Sequence, residues 1–396
     1  MPRPKLLYCL ILLFSISFSA CSPASITKTP PLENLLPIET IPGPEPTPSL
    51  SALEHSYVPI YYSPFYEDII NGSKRESGLL VYTETKDENL AYLIQIFREH
   101  YPWINVILLQ LNPDEVFERY QRETVSKARA ADIIISSDVI GLQTFIKQGQ
   151  VVSYRSQEDE FLPLWAKNKV GIYTLSSEPM LIVYNKQQLS VAPETLQQVG
   201  NLANALSAQK LIKIVTYDAL LSPNGFAANW FWSKAQGDAG WEILNNIGSV
   251  NPILMTSEMQ MLDALESGKA EIGYFIPAHL IVDLPETSNL GWAYIKDGQP
   301  ILNYNMVITQ NNTSPNSAKL LVDFSLSQEG QLALSLGGLT PYRSDIAAIS
   351  KYHLDKVISE VNMEHLIFFP LDETILNSAE YEIFSAKWQL ALKRAE

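Results

Sequence analysis

Cysteine is almost missing from this chain of 396 residues: there are two, Cys9 and Cys21. Beyond Cys21 there is no thiol nucleophile and no disulfide, so the body must be held by core packing alone. Positive charge is also scarce, with 28 Lys and Arg against 43 Asp and Glu and a net charge of −15. That balance argues against nucleic acid, and against an anionic membrane surface, as electrostatic partners. Histidine occurs five times, in no Ser-His-Asp or His-Cys pattern of recognisable spacing and in no metal-ligand cluster. Nothing therefore points to an enzyme or to a cofactor. Internal repeats and heptads are absent, and beyond the first twenty residues no segment reads as membrane-spanning.

What is present begins with an address. Arg3 and Lys5 precede an apolar run from Leu6 to Phe18, too short to span, which ends in Phe18-Ser19-Ala20-Cys21. Residues 1–20 read as a lipoprotein signal peptide, and Cys21 as the acylated residue that anchors the body to a bacterial membrane, in the periplasm or at the cell surface. Without Arg3 and Lys5 the chain carries 26 basic and 43 acidic residues, a net −17. Residues 21–56 hold Pro23, Pro30, Pro31, Pro37, Pro42, Pro44, Pro46 and Pro48 without periodicity. They read as an extended tether, able to reach roughly 100 Å at polyproline rise. Tyr57, Tyr61, Tyr62, Phe65 and Tyr66 follow; they either stack on a ligand or, as aromatics at a domain start usually do, pack on the outside of the first lobe.

The body is organised around Gly78 to Leu111. Leu79–Tyr82 is a short apolar run. Leu90, Leu93, Ile94, Phe97 and Tyr101 recur at helical spacing until Pro102 stops them, and Val106–Leu111 is apolar again. Strand, helix, strand is the unit of a parallel sheet with a right-handed crossover, and ligands of such sheets bind beyond the carboxyl ends of the strands. Further helices are expected over 114–126, 139–147, 193–206, 257–268 and 277–284. The expected strands are 131–135, 170–174, 180–184, 211–216, 270–276, 291–295 and 301–308. Residues 176–179 would form a loop between two of these strands. Ser222-Pro223-Asn224-Gly225 is a turn opening a helix with Trp230 and Trp232. Ser314 is expected to cap a helix begun by Pro315, a second helix follows over 328–336, and the tail from Asp345 reads as helical.

Set in order, VYTETKDEN (81–89), ADIIISSD (131–138), LIVYNKQQL (181–189), ESGKAEIGY (266–274), LLVDFSLSQEGQ (320–331) and GLTPYRSDI (338–346) resemble the extracellular solute-binding proteins of ABC transporters. The branch is that of the ferric-ion-binding proteins and their phosphonate-, thiamine- and polyamine-binding relatives. The resemblance implies an α/β fold of two Rossmann-like lobes joined by two hinge strands, the type II periplasmic-binding-protein fold. It places lobe 1 at 57–177 and 304–345, lobe 2 at 178–303, and a C-terminal helical segment at 346–396. It further implies one small solute held between the lobes of a monomer, without a metal, and delivered to a permease powered by an ATPase.

The candidate ligand groups sit at strand ends and at the crossing between lobes. Thr83 and Thr85 follow the first strand, and either face a solute or cap the next helix. Ser137 and Asp138 follow a later strand, with the same two readings. Ser177 and Glu178 stand at the hinge, where anion-binding relatives often place an arginine; an acidic Glu178 disfavours a bare anion, or is a solvated loop residue. Asn224 and Gly225 lie where relatives present a helix N-terminus, or form a plain turn. Tyr274-Phe275 stands where ferric-binding relatives carry two tyrosines. Phenylalanine cannot ligate, which speaks against iron and leaves Tyr274 to bond an organic solute or to fill the core. His279 on an apolar stretch reads as structural.

Overall fold

The computed structural model describes residues 58–167, 169, 171–206 and 212–392. The leader, Cys21, the tether and Tyr57 lie outside them. Helix α1 (Tyr66–Ser73) precedes β1 (Leu79–Thr83), whose residues are almost all buried. Helix α2 (Asp87–His100) buries Leu90, Leu93, Ile94 and Phe97 on one face and returns the chain to β2 (Val106–Gln110), parallel to β1. Then α3 (Glu115–Val125), β3 (Ile133–Ser136) and α4 (Val139–Lys147) follow, with β3 parallel to β1 on its other side. The Ile133-Ile134-Ile135 run is buried throughout, as a strand covered on both faces requires.

The next strand departs from expectation. Two strands with a loop at 176–179 are expected, but β4 is one element, Ile172–Asn185, and it is buried almost end to end. Ile172–Pro179 pairs antiparallel with β9 (Gln299–Ile308), and Met180–Asn185 pairs with β7 (Ile272–Pro277) and β8 (Leu290–Ala293). A proline does not break the ladder here, because its missing donor falls where β4 changes partners.

Beyond β4, the second sheet adds α5 (Leu196–Leu206), β5 (Ile214–Tyr217), α6 (Pro223–Gly248), β6 (Ile253–Met255) and α7 (Glu258–Glu266). The strand order is β2-β1-β3-β9-β4-β7-β5-β6, so β9 and β4 join two α/β lobes. Gly237, at φ 60°, breaks α6 into two helices. Strand β6 has no counterpart in the sequence reading, since three residues give no period. The short helix expected over 277–284 is one 3-10 turn, Ala278–Leu280.

Helices α8 (Pro315–Leu326) and α9 (Gln328–Leu336) complete the first lobe. Ser314 does not cap α8 with its side chain; its hydroxyl donates to the Gly78 carbonyl at 2.7 Å. The Glu76 carboxylate takes the role instead, accepting from Asn316 N at 2.9 Å and Ser317 N at 2.7 Å. A charged acceptor binds the dipole's positive end better than a hydroxyl does. The tail is not all helical. After α10 (Leu354–Val361) comes β10 (Leu366–Phe368), parallel to the start of β9, then a 3-10 turn and α11 (Ser378–Leu392). Trp388 of α11 is buried on α6, 3.3 Å from the Asn229 side-chain oxygen. At the domain start Tyr62 and Tyr66 are buried, and the Tyr62 hydroxyl donates to Glu158 at 2.6 Å. Glu158 also forms a buried pair with Arg343.

Candidate functional site

The carboxyl ends of β1 and β3 in one lobe face the end of β5 and the start of α6 in the other. Thr83 is buried, and its hydroxyl accepts from Thr85 N at 3.0 Å. The hydroxyl of Thr85, a residue 1% exposed, has no partner among the described residues. Asp138 caps α4, accepting from Ile140 N and Gly141 N at 3.1 and 3.0 Å. Gly225 is held by a cap too: its N–H donates to Ser222 Oγ at 3.2 Å, and a side chain there would meet Tyr217.

Ser137 and Asn224 meet across the lobes. Ser137 Oγ lies 2.7 Å from Asn224 Oδ1 and also contacts Glu84, which accepts from Ser137 N. Asn224 Nδ2 donates to Glu258 at 3.1 Å, and the Tyr217 hydroxyl donates to the same oxygen. One hydroxyl cannot donate to both Glu84 and Asn224. Burial, with Asp138 and Glu258 nearby, pushes the Glu84 carboxyl up to about 8, against the pull of its Ser137 hydrogen bonds. Protonated, Glu84 donates to Ser137, and Ser137 donates onward to Asn224. The residue is partly exposed at its edge, but its carboxyl is enclosed.

The two hinge strands form the back wall. Ser177 pairs with Asn303 and Ser176 with Tyr304. Glu178 is no solvated loop residue: it is fully buried and accepts from Thr340 N and Oγ1 at 2.9 and 3.0 Å. Burial raises its carboxyl to about 7, partly offset by Thr340 and by the neighbouring Ser176 hydroxyl, which does not meet hydrogen-bond geometry. His279 Nδ1 is 3.8 Å away, but burial, reinforced by the charge of Lys86, lowers that imidazole to about 3. It is neutral, so the two do not form an ion pair.

Tyr274 is fully buried and its phenol is raised by burial. The neighbouring Thr216 hydroxyl offsets this only in part, and neither group meets hydrogen-bond geometry. Phe275 has φ 65° and is the bulged residue of β7, since Ile182 pairs with Tyr274 while Leu181 pairs with Ile276. The bulge turns its ring toward Trp232, 6.2 Å between centroids. Trp232 itself donates to the Gly298 carbonyl and Trp230 packs on Phe384, so both tryptophans serve packing.

Ten buried side-chain polar atoms lack a partner among the described residues, and seven belong to this region. They are Thr85 Oγ1, Ser176 Oγ, Ser177 Oγ, Thr216 Oγ1, Tyr274 OH, His279 Nδ1 and Asn303 Oδ1. Each such atom costs about 1–3 kcal/mol unless something satisfies it. Sequence reasoning missed Glu84, Lys86, Ser176, Thr216, Glu258 and Asn303. Glu84 and Lys86 lie in the loop that it did single out, and Asn303 could have been found by pairing the return strand with Ser177. Glu258 carried no such signal. Among the described residues no cluster of His, Cys, Asp and Glu could hold a metal ion, and no helix is long and apolar enough to cross a membrane.

A family model described as bacterial extracellular solute-binding protein matches residues 83–332. No curated protein matches the chain by sequence. Among solved structures, the substrate-binding protein of an ABC transporter from Agrobacterium tumefaciens superposes with TM-score 0.71 at 18% identity, over 82% of this chain and 96% of that one. The periplasmic binding protein AfuA from Actinobacillus pleuropneumoniae, with fructose-6-phosphate bound, gives 0.62 at 18% identity, over 80% and 99%. Iron-bound HitA from Pseudomonas aeruginosa gives 0.59 at 14% identity, over 78% and 99%.

Proposed function

We propose that this chain, which belongs to the bacterial extracellular solute-binding proteins, closes two lobes around one small solute and hands it to an ABC permease and its ATPase. The observation that supports this reading is the set of seven partnerless polar atoms. They gather where both lobes and both hinge strands meet, and a solute there would satisfy groups from either side at once. Such a ligand stabilises the closed form by its differential affinity for closed over open.

In this reading the lobes divide at Ser177 and Tyr304, and residues 346–396 brace them. Thr85, Ser177 and Tyr274 touch the solute. Ser137 and Asn224 fasten the lobes, Asp138, Gly225 and Thr83 shape the loops, and Glu178 holds the hinge to Thr340. Lipidation at Cys21 and the proline-rich tether keep the body at the bacterial membrane while it reaches the permease. The protein acts as a monomer and makes or breaks no bond in its solute.

The test is a thermal-shift screen across iron chelates, phosphonates, thiamine, polyamines, sugars and oxyanions, followed by solution scattering on each hit. A stabilising solute is expected to compact the protein and to change tryptophan fluorescence. Tight binding with neither change would refute hinge closure.

A further inference from the structure

The charged groups around the seven partnerless atoms are not equally satisfied. Glu84, Asp138, Glu178 and Glu258 each already accept at least two hydrogen bonds from protein donors. Lys86 is the exception. It immediately follows Thr85, is half-buried, and occupies the N-cap position of α2. Its carbonyl accepts from Asn89 N at 3.0 Å, but its ammonium has no hydrogen bond and no ion pair among the described residues, and its charge is felt at the buried His279 of the other lobe. The helix behind it has no side-chain cap, and Asp87 and Glu88 of its first turn are exposed. The unpaired Lys86, the start of α2 without a side-chain cap and the orphaned, 1%-exposed Thr85 hydroxyl are thus consecutive in the chain. All three want an acceptor, and two of them want a negative one.

The rest of the wall asks for something different. Ser176, Ser177, Thr216 and Tyr274 offer hydroxyls without partners, and each can donate or accept. Such a wall matches a ligand whose own groups do both. A polyammonium ion is disfavoured there by the unpaired Lys86 ammonium, although among the described residues Oε2 of Glu258 and Oδ2 of Asp138 accept no hydrogen bond.

We propose that the solute is a small hydroxyl-bearing molecule with one anionic group, phosphate or carboxylate, and that Lys86 receives that group. This rests on the solute-binding reading above. The Lys86 contact would outweigh the deterrent expected of Glu178, whose carboxyl is turned to Thr340 rather than to the solute.

The test uses the full chain with four probes at equal millimolar concentration: glucose 6-phosphate, gluconate, glucose and spermidine. At least one of the two anions is expected to raise the melting temperature and compact the protein, while glucose and spermidine do neither. Which anion acts distinguishes phosphate from carboxylate. Lys86→Met is expected to weaken that binding by roughly tenfold or more, the usual loss for one charge-assisted hydrogen bond. Lys86→Arg is expected to retain most of it. Because Lys86 is half-buried at a helix start, both variants should fold, and an unchanged melting temperature without probe checks this. Stabilisation by glucose or spermidine but by neither anion, by none of the four, or equally in Lys86→Met, overturns the proposal. If some other solute closes the lobes, the solute-binding reading survives and only the anion is lost. If no solute in the wider screen compacts the protein, both are lost.

Discussion

Glu84 and His279 give the site opposite responses to acid. Glu84 holds its proton up to about 8 when folded, so its contribution to stability is complete below its ordinary range near 4.5 and is lost as pH rises through 8. Glu178, held at about 7, acts in the same direction. His279 is depressed to about 3, so its contribution is present above its ordinary 6.5 and is lost as pH falls toward 3. Asp138 and Asp323, raised by burial to about 6, act in the same direction, so the melting temperature should decline between about pH 5 and 8. Glu84→Gln should flatten that decline, and melting curves across this range would show it; an unaltered slope would mean that Glu84 ionises freely. At the same scale, Phe275 at φ 65° sits where glycine is at ease and a phenylalanine is strained. Truncating it to Ala should cost about 3–5 kcal/mol. Phe275→Gly should be no worse than Phe275→Ala, reversing the usual penalty of roughly 0.5–1 kcal/mol for glycine. Chemical denaturation of the pair decides the order. Residue types and loop positions singled out Thr85, Ser137 and Asn224 in the sequence, and their places at the ends of β1 and β3 and at the start of α6 were legible there. Lys86 was not, because an unpaired charge is recognised only once every neighbour is known.

At the scale of elements, the helices were the most legible parts, because α2 and α4 carry apolar residues at regular intervals and end at Pro102 and near Gly149. The errors arose where a tertiary partner overrode local pattern. Ser314 looked like a cap, but Glu76, far away in sequence, reached the helix first. Residues 176–179 looked like a loop because serine, glutamate and proline are poor strand formers, yet the ladder on β9 holds them extended and β7 takes over at Met180. Strand β10 was hidden in a tail whose helical neighbours dominate the pattern. That tail is tightly applied. A side chain added at Gly248 of α6 would lie 1.7 Å from the Ala391 carbonyl of α11, a contact that backbone must move to relieve. Gly248→Ala is expected to pry α11 from α6 at a cost of about 1–3 kcal/mol. Hydrogen exchange should then rise in 378–392 while β1 and β3 stay protected.

Among the described residues the body is two lobes, with polar links across the mouth. Ser137 to Asn224 is one, and Asp283 with Lys351 and Tyr352 is another, at a more exposed position. Asn224→Ala removes the first and takes a donor from Glu258. It should shift the closed-to-open balance by about 1 kcal/mol, roughly fivefold. Solution scattering of the solute-free protein should register a larger radius of gyration; no change would mean that this bond does not govern opening. The overall architecture was legible because the ordered motifs spread over both lobes. The solute was not, since it is defined by groups that approach one another only after folding.

β4 runs through both sheets with its register broken only at Thr174–Ser176 and at Leu181–Ile182, so the stretch between them offers no swivel. Opening must be distributed as added twist along Ser176 to Met180, in the manner of a torsion bar clamped at both ends. Its return force is then set by the hydrogen-bond ladder on either side rather than by any one flexible residue.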